Sequence, residues 1–284
     1  MDGRTVLITG ANSGIGLEAA VALTRMGADV SITARDAAKG TAAVEEIHRR
    51  GGVSPRLFDL DLSDLASVRR CADEVVDSID RLDVLVANAG LTLSTRAETV
   101  QGFEYLFGVN HLGHFALFER LRDLLVASAP ARVVVVSSDM HRVAYRGLAF
   151  DDLQSERAYR SWDAYGKSKL ANLLFTREAA RRLRGTGVAV NAAHPGLVKT
   201  NFGGEGDTRL TQQVVRALPR VVALDASEGA DTIVHLASSP EVEGLTGGYF
   251  SNRRAVSPSR HALDDDAATR LWAVSEQLLA SADA

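Results

Sequence analysis

Residues 5–26 constrain the fold more than any other stretch. Thr5-Val6-Leu7-Ile8-Thr9 is a short apolar run rich in β-branched side chains, Gly10-Ala11-Asn12-Ser13-Gly14-Ile15-Gly16 follows it, and an amphipathic stretch occupies 17–26. The order is strand, glycine turn, helix. Each glycine has a physical use there. Gly10 permits the tight turn, Gly14 lets the backbone approach a pyrophosphate, and Gly16 lets helix and strand pack closely. Asn12, Ser13 and Ile15 complete a turn that faces the phosphates at the helix N-terminus.

The same alternation continues along the chain. Strands are expected over 29–33, 53–60, 82–87, 132–138, 188–193 and 248–251, and helices over 37–50, 64–79, 103–125, 227–237 and 265–279. Ser63 is the expected cap of the third helix. The run Val133-Val134-Val135-Val136 is apolar throughout, as a parallel strand covered on both faces should be. At 284 residues, without an internal repeat or a linker rich in Pro, Ser and Gly, the chain suits one doubly wound α/β domain with a parallel sheet.

The second strand ends in Ala34-Arg35-Asp36. In dinucleotide folds this tip holds either a carboxylate for the ribose 2′-OH or a cation for a 2′-phosphate. Arg35 suits the phosphate, because a guanidinium binds it bidentately, and so favours NADP(H). The alternative is NAD(H), with Asp36 on the 2′-OH instead of acting as the N-cap of the next helix.

The chemistry is expected in Ala164-Tyr165-Gly166-Lys167-Ser168-Lys169-Leu170-Ala171-Asn172, where Tyr165 and Lys169 stand four apart and share a helix face. A phenol titrates near ~10, so proton exchange at neutral pH needs about 4 kcal/mol of help. A cation ~4 Å away supplies about 1 kcal/mol in water and about 4 kcal/mol at an effective dielectric near 20. The pair therefore works only if partly desolvated. Taken alone, it is equally an ordinary surface pair.

The spacing Thr9-Gly10-x-x-x-Gly14-x-Gly16, with Ser138, Tyr165 and Lys169 in that order, resembles the classical short-chain dehydrogenase/reductase family. The length and pattern of 139–163, and Lys167-Ser168-Lys169-Leu170-Ala171-Asn172-Leu173-Leu174-Phe175-Thr176 after it, resemble the retinol-dehydrogenase-like branch. The resemblance implies a Rossmann-type sheet of seven strands in the order 3-2-1-4-5-6-7. It implies Ser138, Tyr165, Lys169 and Asn110 as the catalytic set, with Asn110 distorting its helix and holding a water linked to the lysine. Asp61 and the Leu62 backbone would contact the adenine, or Asp61 is a turn carboxylate without a ligand. Asn88, Ala89 and Gly90 would form the cofactor floor, although Ala87 stands where the family has a further Asn. Pro195 and Gly196 would turn under the nicotinamide, with Val198 and Thr200 near its amide or the phosphates. Residues 139–163 and 200–224 are the variable substrate segments, and 203–222 is either a mobile lid or a helix packed on the body.

The expected reaction is hydride transfer between a nicotinamide and a small hydrophobic carbonyl or alcohol, on account of the apolar side chains in the variable segments. A non-catalytic NADP-binding redox sensor is the rival from another class. With 32 basic and 36 acidic residues, nothing draws the chain to nucleic acid. His111 and His114 lack a convincing third ligand, so no metal is expected. Ser138 lacks the G-x-S-x-G elbow of a nucleophile. The single cysteine, Cys71, excludes an internal disulfide and fits a buried position. Without a signal-peptide profile, a run of ~18 apolar residues or the N-terminal anchor of animal relatives, a cytoplasmic protein is expected. Homo-oligomer and monomer both stay open, since the family often pairs through its long helices while this branch includes monomers.

Overall fold

The computed structural model describes residues 1–197 and 224–282. Eight strands form one sheet in the order β3-β2-β1-β4-β5-β6-β7-β8. They are β1 (Thr5–Ile8), β2 (Asp29–Ala34), β3 (Arg56–Asp59), β4 (Val84–Ala87), β5 (Ala131–Val136), β6 (Val188–His194), β7 (Tyr249–Ser251) and β8 (Arg254–Ala255). The first seven pair in parallel, in the order expected. The two-residue β8 adds an antiparallel edge, Phe250 opposite Ala255, beyond the seven strands anticipated.

Helices lie between the strands: α1 (Gly14–Arg25), α2 (Ala37–Gly51), α3 (Leu65–Ser78), the single turn α4 (Tyr105–Phe107), α5 (Gly113–Ala127), α6 (Ser161–Arg182), α7 (Ala226–Ser238) and α8 (Asp265–Ala282). Capping fixes where several of them start. Asp36 accepts from Lys39 N–H at 3.0 Å and opens α2, while α7 begins in a capping box of Asp225 and Glu228. At α3 the cap is Asp64, accepting from Ala66 N–H at 3.0 Å, in place of Ser63. Ser63 donates instead to Asp61, two residues back.

Alternate residues of each strand feed two cores. Leu7, Leu85, Val133, Val135 and Val190 face the layer of α3, α5 and α6, whereas Val6, Ile8, Val84, Val86, Val134 and Val136 face that of α1, α2 and α7. This period of two explains why the strands read as continuous apolar runs. Cys71 is buried in the first core, where burial pushes its thiol up to about 12.

The chain order reverses between β1 and β4, which opens a crevice beyond the carboxyl ends of those strands. Both the glycine turn and Asn88-Ala89-Gly90 stand at that edge. On the far side α8 lies over α5 and α6, with the Trp272 ring stacked on Phe175 at 5.9 Å and edge-on to Phe115 at 5.0 Å. No helix among the described residues is long and apolar enough to cross a membrane.

His111 sits inside this aromatic packing, with Nε2 3.0 Å from Ser275 Oγ of α8. Burial drives its pKa down to about 3, so the folded chain keeps the ring neutral where an unfolded chain would protonate it. The unfolded state therefore binds the extra proton as pH falls below ~6.5, and stability declines by about 1.4 kcal/mol per pH unit for such a group. Urea unfolding between pH 7 and pH 5 should show that decline in the wild type and a shallower one in His111→Leu; equal slopes would refute it.

Candidate functional site

The glycine turn is held by its neighbours. Gly10 and Gly14 have φ of +65° and +58°, a region that disfavours side chains. A Cβ on Gly16 would lie 2.5 Å from Asn88 Nδ2 and 2.7 Å from Gly10 O. Asn88 Nδ2 donates to Thr9 O at 2.8 Å and to Gly10 O at 3.2 Å. Thr9 Oγ1 accepts from Asn88 N–H at 2.9 Å and from Ala89 N–H at 3.0 Å. Asn88 and the Ala89 N–H thus tie the end of β4 to the turn, although Ala87 replaces the family's first Asn.

At the start of α1 the Ser13 side chain makes no capping hydrogen bond, and no acidic residue lies in the first turn. Gly14, Ile15 and Gly16 therefore present backbone N–H groups with the positive end of the helix dipole, and Asn12 borders them. This donor set suits a pyrophosphate.

A histidine extends the same network. His114 Nδ1 lies 3.2 Å from Asn110 O, which only accepts, so Nδ1 carries the proton. Nε2, 2.9 Å from Thr9 Oγ1, therefore accepts from the Thr9 hydroxyl. Burial pulls the His114 pKa down to about 4, in keeping with this neutral form. The sequence had raised His111 and His114 only as metal ligands; here protein partners engage both rings.

At the tip of β2, Arg35 is exposed and its Nη1 donates to Tyr105 OH at 3.2 Å. The Asp36 carboxylate is occupied as the cap of α2. Beyond β3, Asp61 Oδ1 accepts from Ser63 N–H at 2.9 Å and Ser63 Oγ at 2.7 Å. The Leu62 side chain is buried, which leaves its backbone for any contact outside the fold.

Ser138, Tyr165 and Lys169 come together where β5 ends beside α6. Tyr165 is buried and hydrogen-bonded to Ser138. Lys169 Nζ lies 5.7 Å from the centroid of the Tyr165 ring and donates to Val136 O at 3.1 Å. Both side chains have left water, which is the desolvation the pair requires. Burial raises the phenol above its ordinary range and lowers the lysine to about 8.

Asn110 lies in a π-helical segment, Gly108–Leu112, between α4 and α5. This is the helix distortion the resemblance implies, and it breaks the continuous 103–125 helix expected. Asn110 Oδ1 accepts from Leu91 N–H at 2.9 Å, and its Nδ2 donates to Leu91 O at 3.1 Å and to Ser168 Oγ at 3.0 Å. Ser168 in turn donates to Tyr165 O at 2.8 Å. A Cβ on Gly90 would sit 3.2 Å from Lys169 Nζ and 3.3 Å from Asn110 Oδ1, so only glycine leaves that approach uncrowded.

Pro195 and Gly196 follow β6, with Gly196 at φ +83°. Val198, Thr200 and the 203–222 segment lie outside the described residues. Ser168, His114 and Tyr105 were not singled out from the sequence for what they hold. Only the i+4 spacing of His114 from Asn110 offered a signal.

Residues 10–251 match the family model described as Enoyl-(Acyl carrier protein) reductase. Retinol dehydrogenase 14 of Homo sapiens is 44% identical to the chain over 297 residues, covering 98% of it and 87% of the relative. The chain belongs to the short-chain dehydrogenase/reductase family. Retinol dehydrogenase 13 of Homo sapiens, 38% identical over 98% of the chain and 85% of its own length, adds to its retinol-dehydrogenase-like character. A crystal structure of an uncharacterized protein from Mycobacterium Paratuberculosis superposes with a TM-score of 0.76 at 38% identity, covering 98% of this chain and 93% of that one. The Pseudomonas aeruginosa RhlG/NADP active-site complex superposes at 0.70 with 27% identity, covering 88% and 95%. As a short-chain dehydrogenase/reductase, the protein is an oxidoreductase acting on CH–OH or C=O groups, in a family that binds nicotinamide cofactors.

The buried ammonium carries a stability cost. Its pKa falls from 10.5 to about 8 on folding. Between those values the unfolded chain holds one proton more, so this group makes stability rise with pH from about 8 to about 10. Lys169→Met should remove that rise and increase Tm at pH 7 by roughly 5 °C. Val136 O would still accept from Asn172 Nδ2, at 3.1 Å. A variant no more stable than wild type at pH 7, with the rise intact, would contradict this.

Proposed function

We propose that the protein is an NADP(H)-dependent oxidoreductase that moves a hydride between a nicotinamide and a hydrophobic carbonyl or alcohol, with Tyr165 as general acid and base. The seat of Tyr165 carries this reading. The phenol packs with Leu106 and Ala164, bordered by Leu91, Leu93, Met140 and Tyr159, and it touches Ser138 one helical turn from Lys169. An apolar wall around a proton donor favours an apolar substrate over a charged one. The retinol dehydrogenases among the relatives point the same way.

Arg35 supports NADP(H). Because Asp36 caps α2, the charged group left at the tip of β2 is a guanidinium steadied by Tyr105. Such a group matches a 2′-phosphate. The N–H groups of 14–16 fit the pyrophosphate, and Asn88-Ala89-Gly90 fit the cofactor floor. Asp61 and the Leu62 backbone would border the adenine, and Pro195 and Gly196 would turn under the nicotinamide.

A bound nicotinamide supplies or accepts the hydride. Ser138 Oγ accepts from Met140 N–H at 3.2 Å and is hydrogen-bonded to Tyr165; with a carbonyl bound, both hydroxyls turn to its oxygen and the Ser138 proton polarises it. Tyr165, kept protonated by burial, donates to that oxygen as charge develops on it, and takes the proton back in the oxidative direction. The Lys169 charge favours the phenolate that results, and its Nζ would anchor the nicotinamide ribose. Asn110 fixes Leu91 and Ser168 around the ammonium and borders a water relay to it.

Two measurements test these assignments. With NADPH and a panel of decanal, acetophenone and all-trans-retinal, Tyr165→Phe should lose about 10²–10⁴-fold in kcat while still binding NADPH. Turnover equal to wild type, or no turnover by wild type on a broad panel, counts against the reading. Arg35→Ala should weaken NADPH about 10–100-fold, the scale of a charged hydrogen bond, and leave NADH nearly unchanged; equal losses would refute the phosphate role.

A further inference from the structure

Ser138 is held from behind by a residue that the reaction does not use. Its carbonyl accepts twice, from His141 N–H at 3.0 Å and from His141 Nδ1 at 2.7 Å. A carbonyl only accepts, so Nδ1 carries the proton. On the other side of the ring, Ser259 N–H donates to Nε2 at 2.9 Å, so Nε2 is bare. The two contacts select one neutral tautomer, and they do so across 118 positions of sequence.

The ring has no exposed surface. It stands edge-on to Tyr249 at 5.4 Å, and the Tyr249 hydroxyl donates to Asp139 at 3.0 Å. Further ties join the two segments: Arg142 donates to Ser257 O at 2.8 Å, and His261 Nε2 lies 2.8 Å from Tyr145 O. The segment after β8 therefore clasps the one that begins at Ser138.

We propose that His141 is a positioning residue: Ser259 N–H sets its tautomer, Nδ1–H holds the Ser138 carbonyl, and the pair aims the Ser138 hydroxyl at the substrate oxygen. The inference rests on the role given to Ser138 under the proposed function. It adds that the C-terminal segment, which supplies none of the assigned catalytic residues, sets the geometry of one.

Two variants of the full chain separate this role from packing. His141→Asn places an amide donor where Nδ1 stands and drops the contact to Ser259. His141→Gln keeps a polar atom near Nε2 and drops the donor to Ser138.

In NADPH-dependent reduction of decanal, His141→Gln should lose about 10-fold in kcat with KM nearly constant, short of the roughly 100-fold that a 1 Å misplacement can cost. His141→Asn should recover most of that loss. Wild-type kcat in His141→Gln, or equal losses in Asn and Gln that follow Tm, would overturn the proposal. ¹⁵N NMR of the imidazole needs no substrate: wild type should show protonated Nδ1 and bare Nε2. The opposite wild-type tautomer would overturn the proposal even if the enzyme is active. Absent turnover alongside the expected tautomer would instead strike at the proposed function.

Discussion

An ammonium that leaves water must find its compensation in the protein, and at Lys169 that compensation is slight. One carbonyl, Val136 O, accepts from it, and the face of Tyr165 lies nearby. Much of the surrounding structure follows from this shortage. Gly90 has no side chain to crowd the charge, and the Ser137 hydroxyl holds the Lys169 carbonyl at 2.8 Å so that the helix presents the side chain at the right height. The ends of β4 and β5, the π segment and α6 meet around a single positive charge.

The phosphate cradle and the proton-transfer group are halves of one hydrogen-bonded unit. Thr9 closes the glycine turn by accepting two N–H groups of the β4 loop and donates its own hydroxyl hydrogen bond to His114, and His114 holds the Asn110 carbonyl. Asn110 then reaches Ser168, which holds the Tyr165 carbonyl. Every member of this chain is satisfied inside the protein, so the unit resists distortion at both ends.

Much of this was legible in the amino-acid order, for a definite reason. A parallel sheet covered on both faces writes itself as apolar runs separated by amphipathic stretches, and the glycine spacing from 10 to 16 marks its first turn. What escaped were features that depend on where distant segments meet. Arg254–Ala255 shows no apolar pattern and pairs only because Asn252 and Arg253, both at positive φ, turn the chain back. Asp64 and Ser63 are equally good capping residues, and only the backbone decides between them. The π segment was hinted at by an asparagine inside a helix, while its contacts with Leu91 and Ser168 were not. The Thr9 hydroxyl that donates to His114 lies 105 positions from it, and the Ser259 N–H that sets the His141 tautomer lies 118 positions away.

The π segment has a consequence beyond the placement of Asn110. It breaks the phase of a helix in which each residue advances the azimuth by about 100°. Tyr105, on the near side of the break, is the residue that steadies Arg35 at the tip of β2, while His114, on the far side, grips the glycine turn. An unbroken α-helix would point one of these correctly and swing the other away. The five residues Gly108–Leu112 thus act as an angular coupling, setting the bearing of the Arg35 support against that of the glycine turn.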